Sequence, residues 1–362
     1  MNLRIPGPTP CPDEVLAASA GQMMNHRGPE FAQVIRRVTD GLNWVFGSSS
    51  DVLSFTTSGT GGLEVAIVNT LSPGDRVLSV SIGSFGDRLK SIAKTYGADV
   101  VSYSLEWGEA ADPGVIGNML DDDPSIKAVL VTHNETSTGT TNPLEAIAKV
   151  VRARNKLIIV DAVSSMSSVP CPVERWDLDV VVSGSQKGWM VPPGLAFVYM
   201  SERAWAANAE AKMPRFYFDA AKTRDALVKL QNPWTPALSV YYAMDKAFEL
   251  MRAEGLEGIF TRHEAIANYT RDRVKSLSLK LVPVNEQFAS NTVTAVWWPE
   301  GVDGKAISKR AREEFGVVIG GGQGKLDGKI FRVGHLGFVS QTDVADALDV
   351  VEKLLVEAKL AV

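Results

Sequence analysis

Three short stretches of this chain carry side chains that could do chemistry together. The first is Ser183-Gly184-Ser185-Gln186-Lys187-Gly188-Trp189, which follows the apolar run Val180-Val181-Val182. A lysine delivered by a small-residue turn at a strand end has two ordinary uses. It stays solvated as a surface charge, or it loses its proton in a desolvated pocket and attacks a carbonyl carbon. The second is Asp161, which closes Leu157-Ile158-Ile159-Val160. A carboxylate there can hold a protonated ring nitrogen, or it can cap a following helix, with Ser164-Ser165 just behind it. The third is Thr57-Ser58-Gly59-Thr60-Gly61-Gly62, at a strand-to-helix junction. Backbone N–H groups and the helix dipole make such a junction attractive to an anion, although a plain tight turn uses the same residues.

The type of anion can be narrowed. A dinucleotide fingerprint needs Gly or Ala where this chain has Glu64, and an acidic residue where the next strand ends at Val80. A single monophosphate therefore fits Ser58-Gly59-Thr60 better than a dinucleotide. Nucleophilic lysine, strand-end aspartate and phosphate loop are together the parts of a pyridoxal phosphate site. Thr132-His133-Asn134-Glu135-Thr136-Ser137-Thr138-Gly139 follows another strand, so its hydroxyls can face the same crevice. Phe85, beyond a further strand end, either stacks on a flat ligand or belongs to the core. Arg332 sits in the otherwise apolar Phe331-Arg332-Val333-Gly334. Its planar fork suits a substrate carboxylate, and a structural ion pair would satisfy it equally. Gly320-Gly321-Gly322-Gln323-Gly324 reads as a flexible loop, and His26-Arg27-Gly28-Pro29 as a surface turn.

The elements that must position these residues follow from the apolar pattern. Val52–Phe55, Val77–Val80, Val100–Tyr103, Ala128–Thr132, Leu157–Val160, Val180–Val182 and Leu195–Met200 read as strands. Between them lie helical stretches at 63–71, 88–96 and 144–154, while 204–211 and 238–252 follow the last strand. An earlier helix places Phe31, Val34, Ile35, Val38, Leu42 and Val45 on one face. Short strands that are apolar throughout, alternating with amphipathic helices, predict an α/β fold with a mostly parallel sheet covered on both sides. The proline-rich residues 1–15 predict an extended arm. Residues 16–258 are expected to form a large domain and 259–362 a small α+β one. The small unit has strands at Leu279–Val284, Val293–Trp297 and 331–334, a helix at Lys305–Phe315, and a closing helix that buries Val344, Leu348, Val351 and Leu355.

Bulk properties narrow the function classes. The 362 residues carry a net charge of −5, with 45 % hydrophobic and 22 % charged residues, which leaves no basic footprint for nucleic acid. No apolar run is long enough for a membrane span. Cys11 and Cys171 form no disulfide framework, and the four histidines show no metal-ligand spacing, so a cytoplasmic protein without a metal is expected.

In these motifs the chain resembles the class V aminotransferases of fold type I, in the alanine–glyoxylate and serine–glyoxylate (serine–pyruvate) branch. The resemblance also covers Ile5-Pro6-Gly7-Pro8-Thr9-Pro10, Asn25 to Phe31, and Phe331 to His335. It implies a large domain with a mostly parallel sheet of seven strands and a small C-terminal domain. It implies pyridoxal 5′-phosphate in a covalent Schiff base on Lys187, with Lys187 also shuttling the proton between Cα and C4′. Asp161 would pair with the pyridine nitrogen, Ser58, Gly59, Thr60 and Gln186 would cradle the phosphate, and Thr136 would touch the ring side. Phe85 matches the stacking aromatic and Arg332 the carboxylate anchor. A homodimer with shared sites is implied, with Thr235 reaching the partner subunit's phosphate; some relatives carry a tyrosine near Asn232-Pro233-Trp234. The implied reaction is ping-pong transamination from a small amino acid, alanine or serine, to a small 2-oxoacid, glyoxylate or pyruvate. A 2-aminoethylphosphonate transaminase of the same fold stands as the alternative; a nucleotide-binding oxidoreductase or a non-catalytic partner protein is a more distant one.

Overall fold

The computed structural model describes residues 1–360. Its strands are β1 (Asn2–Arg4), β2 (Leu53–Thr56), β3 (Arg76–Ser81), β4 (Asp99–Ser104), β5 (Ala128–Thr132), β6 (Asn134–Glu135), β7 (Thr140–Thr141), β8 (Leu157–Asp161), β9 (Val180–Gly184), β10 (Leu195–Met200), β11 (Val293–Trp297), β12 (Val317–Gly321) and β13 (Ile330–Gly334). The helices are α1 (Asp13–Ser19), α2 (Pro29–Phe46), α3 (Gly59–Thr70), α4 (Ser84–Thr95), α5 (Pro113–Asp122) and α6 (Leu144–Ala153), then α7 (Glu202–Glu210), α8 (Ala220–Leu227), α9 (Leu238–Glu254), α10 (Leu256–Ser276), α11 (Gly304–Phe315) and α12 (Gln341–Leu360).

One sheet has seven strands in the order β2-β10-β9-β8-β5-β3-β4. Strand β10 runs antiparallel to both of its neighbours, while β9, β8, β5, β3 and β4 pair in parallel. Strands β5, β9 and β10 are buried along their whole length, as a sheet covered on both faces requires. One face packs on α2, α6 and α9 through Phe31, Leu42, Ile147 and Met244. The other packs on α3 and α4 through Leu63, Ile67 and Leu89. The expected stripe of α2 is buried as a unit, and the helix ends at Gly47, whose left-handed φ of 65° suits glycine.

A second, four-stranded sheet has the order β1-β12-β13-β11. Helix α12 buries Val344, Leu348, Val351 and Leu355 against it and leaves Asp346, Asp349 and Lys353 exposed.

Four local expectations change. The N-terminal arm is not extended throughout: β1 pairs in parallel with β12, and α1 already begins at Asp13. Leu279–Val284 is not a strand; only Leu281 bridges to Val296, and the Val284 N–H donates instead to the Gly108 carbonyl at 2.9 Å. Pro283 has no N–H to offer a ladder. Gly320 and Gly321 belong to β12 rather than to a loop, because β13 pairs with them. Helices α5 and α8 have start signals in the sequence that the apolar pattern misses: the Asp112 and Asp219 side chains accept the N–H groups of Gly114 and Lys222.

Candidate active site

The chain leaves β2, β3, β8 and β9 at the same sheet edge, where a cavity of about 230 Å³ opens. Such an edge collects side chains because each strand ends there and hands over to a loop or helix. Ser58, Gly59, Thr60, Phe85, Asp161, Gln186 and Lys187 all line this cavity. Sequence reasoning missed Gly7, Pro8, Arg88 and Val163, which line it too.

Lys187 is 8 % exposed. Its Nζ donates to the Pro6 carbonyl at 2.7 Å, and no carboxylate stands at ion-pair distance among the described residues. Burial lowers its pKa to about 8; Asp161 opposes this, and the charges of Arg332 and Arg88 add to it. The N-terminal segment sets this environment. The Thr9 hydroxyl donates to the Lys187 carbonyl at 2.9 Å, and the Thr9 N–H to that of Gln186 at 3.1 Å. Gly7, at φ 142°, passes so close that a Cβ would lie 2.7 Å from Nζ. A side chain here would push the lysine out of place.

Asp161 is 4 % exposed and accepts the Val163 N–H at 3.0 Å. Burial raises its pKa from 3.8 to about 6, against that hydrogen bond. The folded protein therefore binds this proton more tightly than the unfolded chain. The cost of burying the charge is absent below about pH 4, grows between pH 4 and 6, and is complete above that. Asp161→Asn keeps the acceptor and removes the charge. The ligand-free variant is expected to gain stability of the order of 2–3 kcal/mol at pH 7.5 and nothing at pH 4. Thermal unfolding at both pH values checks this. A variant less stable at pH 7.5 would mean that a partner already compensates the charge.

Glu135 explains how the β3 end is fixed. It is fully buried, and its carboxylate accepts the N–H groups of Phe85 and Gly86 at 3.0 and 3.1 Å and the Ser137 hydroxyl at 2.6 Å. A carboxylate at the start of α4 meets the positive end of the helix dipole and sets the position of Phe85. The sequence signal was a lone acid among the neutral residues 132–139.

Arg332 is 6 % exposed, and no carboxylate comes within ion-pair distance among the described residues. Its Nε donates to the Gly321 carbonyl at 2.8 Å and its Nη1 to that of Thr136 at 2.9 Å. Neutral carbonyls hold the guanidinium and leave its charge uncompensated; burial lowers its pKa to about 10, against the charge of Glu135. Thr136 thus meets the site through its main chain and is not among the cavity-lining residues.

Thr235 lies apart, exposed, in a cleft with Asn232 and Trp234. Trp234 stacks between Phe216 and Tyr217, at centroid distances of 5.0 and 6.1 Å, and Asn232 donates to the Tyr241 hydroxyl at 2.8 Å.

Residues 7–325 match the family model described as aminotransferase class-V. A protein of Synechococcus sp. named soluble hydrogenase, small subunit, is 44 % identical over 359 residues, covering 98 % of this chain and 93 % of its own. The serine–glyoxylate aminotransferase of Methylorubrum extorquens is 36 % identical over 366 residues, covering 98 % and 91 %. The solved alanine–glyoxylate aminotransferase of Nostoc sp. superposes with a TM-score of 0.93 at 32 % identity, over 98 % of this chain and 94 % of that one.

Proposed function

This chain belongs to the class V aminotransferase family and has the fold type I architecture of those enzymes; from that premise we propose that it moves an amino group from alanine or serine to glyoxylate or pyruvate. Two half-reactions share one site in a ping-pong sequence. The observation that carries this reading is the cavity with Lys187 and Asp161 on its wall and Arg332, without a carboxylate partner, near enough for its charge to act on Lys187.

The family implies pyridoxal phosphate, and the residues present fit it. Ser58 precedes α3 as its N-cap and makes no side-chain cap bond, so its hydroxyl and the first N–H groups of that helix are donors available on the cavity wall. Buried Asp161 lacks the cation that a protonated ring nitrogen would provide. When bound, the cofactor supplies an electron sink that makes the substrate Cα–H acidic.

Each residue then has a task. Lys187 holds the cofactor covalently through Nζ and, once displaced, takes and returns the Cα proton. Asp161 keeps the ring nitrogen protonated. Ser58, Gly59, Thr60 and Gln186 hold the phosphate. Phe85 packs on the ring, and Arg332, held by the Thr136 carbonyl, takes the substrate carboxylate in a bidentate fork. A homodimer is part of the proposal: the exposed Phe216–Trp234–Tyr217 stack beside Thr235 is a surface a second copy would cover. The two free cysteines suit a cytoplasmic setting.

Holoenzyme mixed with L-serine or L-alanine, with no acceptor present, is expected to release one equivalent of oxoacid per site and then consume glyoxylate. Release of an aldehyde from 2-aminoethylphosphonate, with no oxoacid from either amino acid, would keep the family and overturn the substrate.

A further inference from the structure

The residues assigned to the phosphate, Ser58, Gly59, Thr60 and Gln186, carry no charge. A phosphate group carries about −1.5 to −2 at neutral pH, and the start of a helix offers only about half a positive charge. Burying such an anion with neutral donors alone leaves much of its charge uncompensated. Lys187 is committed to the reacting carbon in the proposed function, and Arg332 is anchored away from α3 by Gly321 and Thr136.

Besides Lys187, one other cation, Arg88, lines the cavity among the described residues. Arg88 Nη1 donates to the Thr60 hydroxyl at 3.4 Å, and the Arg88 Cζ lies 4.8 Å from the centroid of the Phe85 ring. Phe85 and Arg88 stand one turn apart on α4, which lets the guanidinium lie over the ring. The Glu135 carboxylate fixes the start of that helix through the Phe85 and Gly86 N–H groups. No acidic side chain reaches ion-pair distance of Arg88 among the described residues, and its charge acts on both Asp161 and Lys187. The side chain is exposed and held only by a hydroxyl and a ring face, so it can swing toward an incoming anion.

We propose that Arg88 is the cation of the phosphate subsite, bonding to a phosphate oxygen beside Thr60. This rests on the reading of Ser58-Gly59-Thr60 as the phosphate cradle.

The test compares pyridoxal phosphate with pyridoxal, which differs only in lacking the phosphate, by equilibrium titration of protein freed of cofactor. For wild type, pyridoxal phosphate is expected to bind far more tightly. Arg88→Gln is expected to weaken pyridoxal phosphate by about tenfold or more and leave pyridoxal within about twofold. Arg88→Lys, which keeps the charge and loses the fork, should fall between. Equal weakening of both ligands, or of neither, would overturn the role of Arg88 and leave the cradle standing. A wild type that does not prefer pyridoxal phosphate would overturn the cradle itself, and Arg88 with it.

Discussion

Lys187→Ala is expected to lower kcat/KM by at least about a thousandfold, because in the proposed function one side chain both binds the cofactor covalently and carries the Cα proton. Effects of a group with two roles in one sequence do not divide between them, so partial activity is not expected. The geometry favours a clean result. Nζ makes a single hydrogen bond, to the Pro6 carbonyl, and burial already works against its charge. Removing it therefore leaves no stranded partner ion, and the fold should persist. Steady-state kinetics and the visible absorption of dialysed protein check this together: turnover and the absorption that survives dialysis should both disappear. Turnover within about tenfold of wild type would remove Lys187 from the chemistry.

Arg332→Ala is expected to raise KM for both amino acid and oxoacid by between about 30- and 1,000-fold, the range for losing one side of a buried charge-assisted pair. Cofactor affinity should be unchanged, since the guanidinium is held by the Gly321 and Thr136 carbonyls and not by a residue assigned to the phosphate. The split between KM and cofactor binding decides the role. A substrate anchor moves the first alone. An unchanged KM, accompanied by lower stability, would make Arg332 a brace between β12 and the turn from β6 to β7.

How much of this was legible beforehand depends on how far each residue's partners lie along the chain. Asp161 and Lys187 stood out because buried parallel strands are apolar throughout, so a charged residue at the end of Leu157–Val160, or just after Val180–Val182, interrupts a clear pattern. Ser58-Gly59-Thr60 stood out because a strand-to-helix junction is local. The α/β class and the stripes of α2 and α12 were legible for the same reason: periodicity is a property of neighbours.

Tertiary structure decided the rest. Nothing near Lys187 in sequence says that its amine rests on the Pro6 carbonyl, or that Gly7 must lack a side chain to let it, because those contacts join the two ends of a 181-residue separation. Gly320 and Gly321 read as a loop since their pairing partner is β13, and β12 as a whole is completed by β1 from the start of the chain. Leu279–Val284 has strand-forming side chains, yet the Val284 N–H goes to Gly108. Glu135 showed in the sequence only as a lone acid, and Arg88 not at all; they matter because β5 and β3 are adjacent in the sheet, which brings β6, just after one, against the helix after the other. The sequence by itself determined which residue types stood at the strand ends and hence which chemistry was available. Only folding determined which charges were left without partners at that edge, because compensation depends on every group within a few ångströms, wherever it lies in the chain.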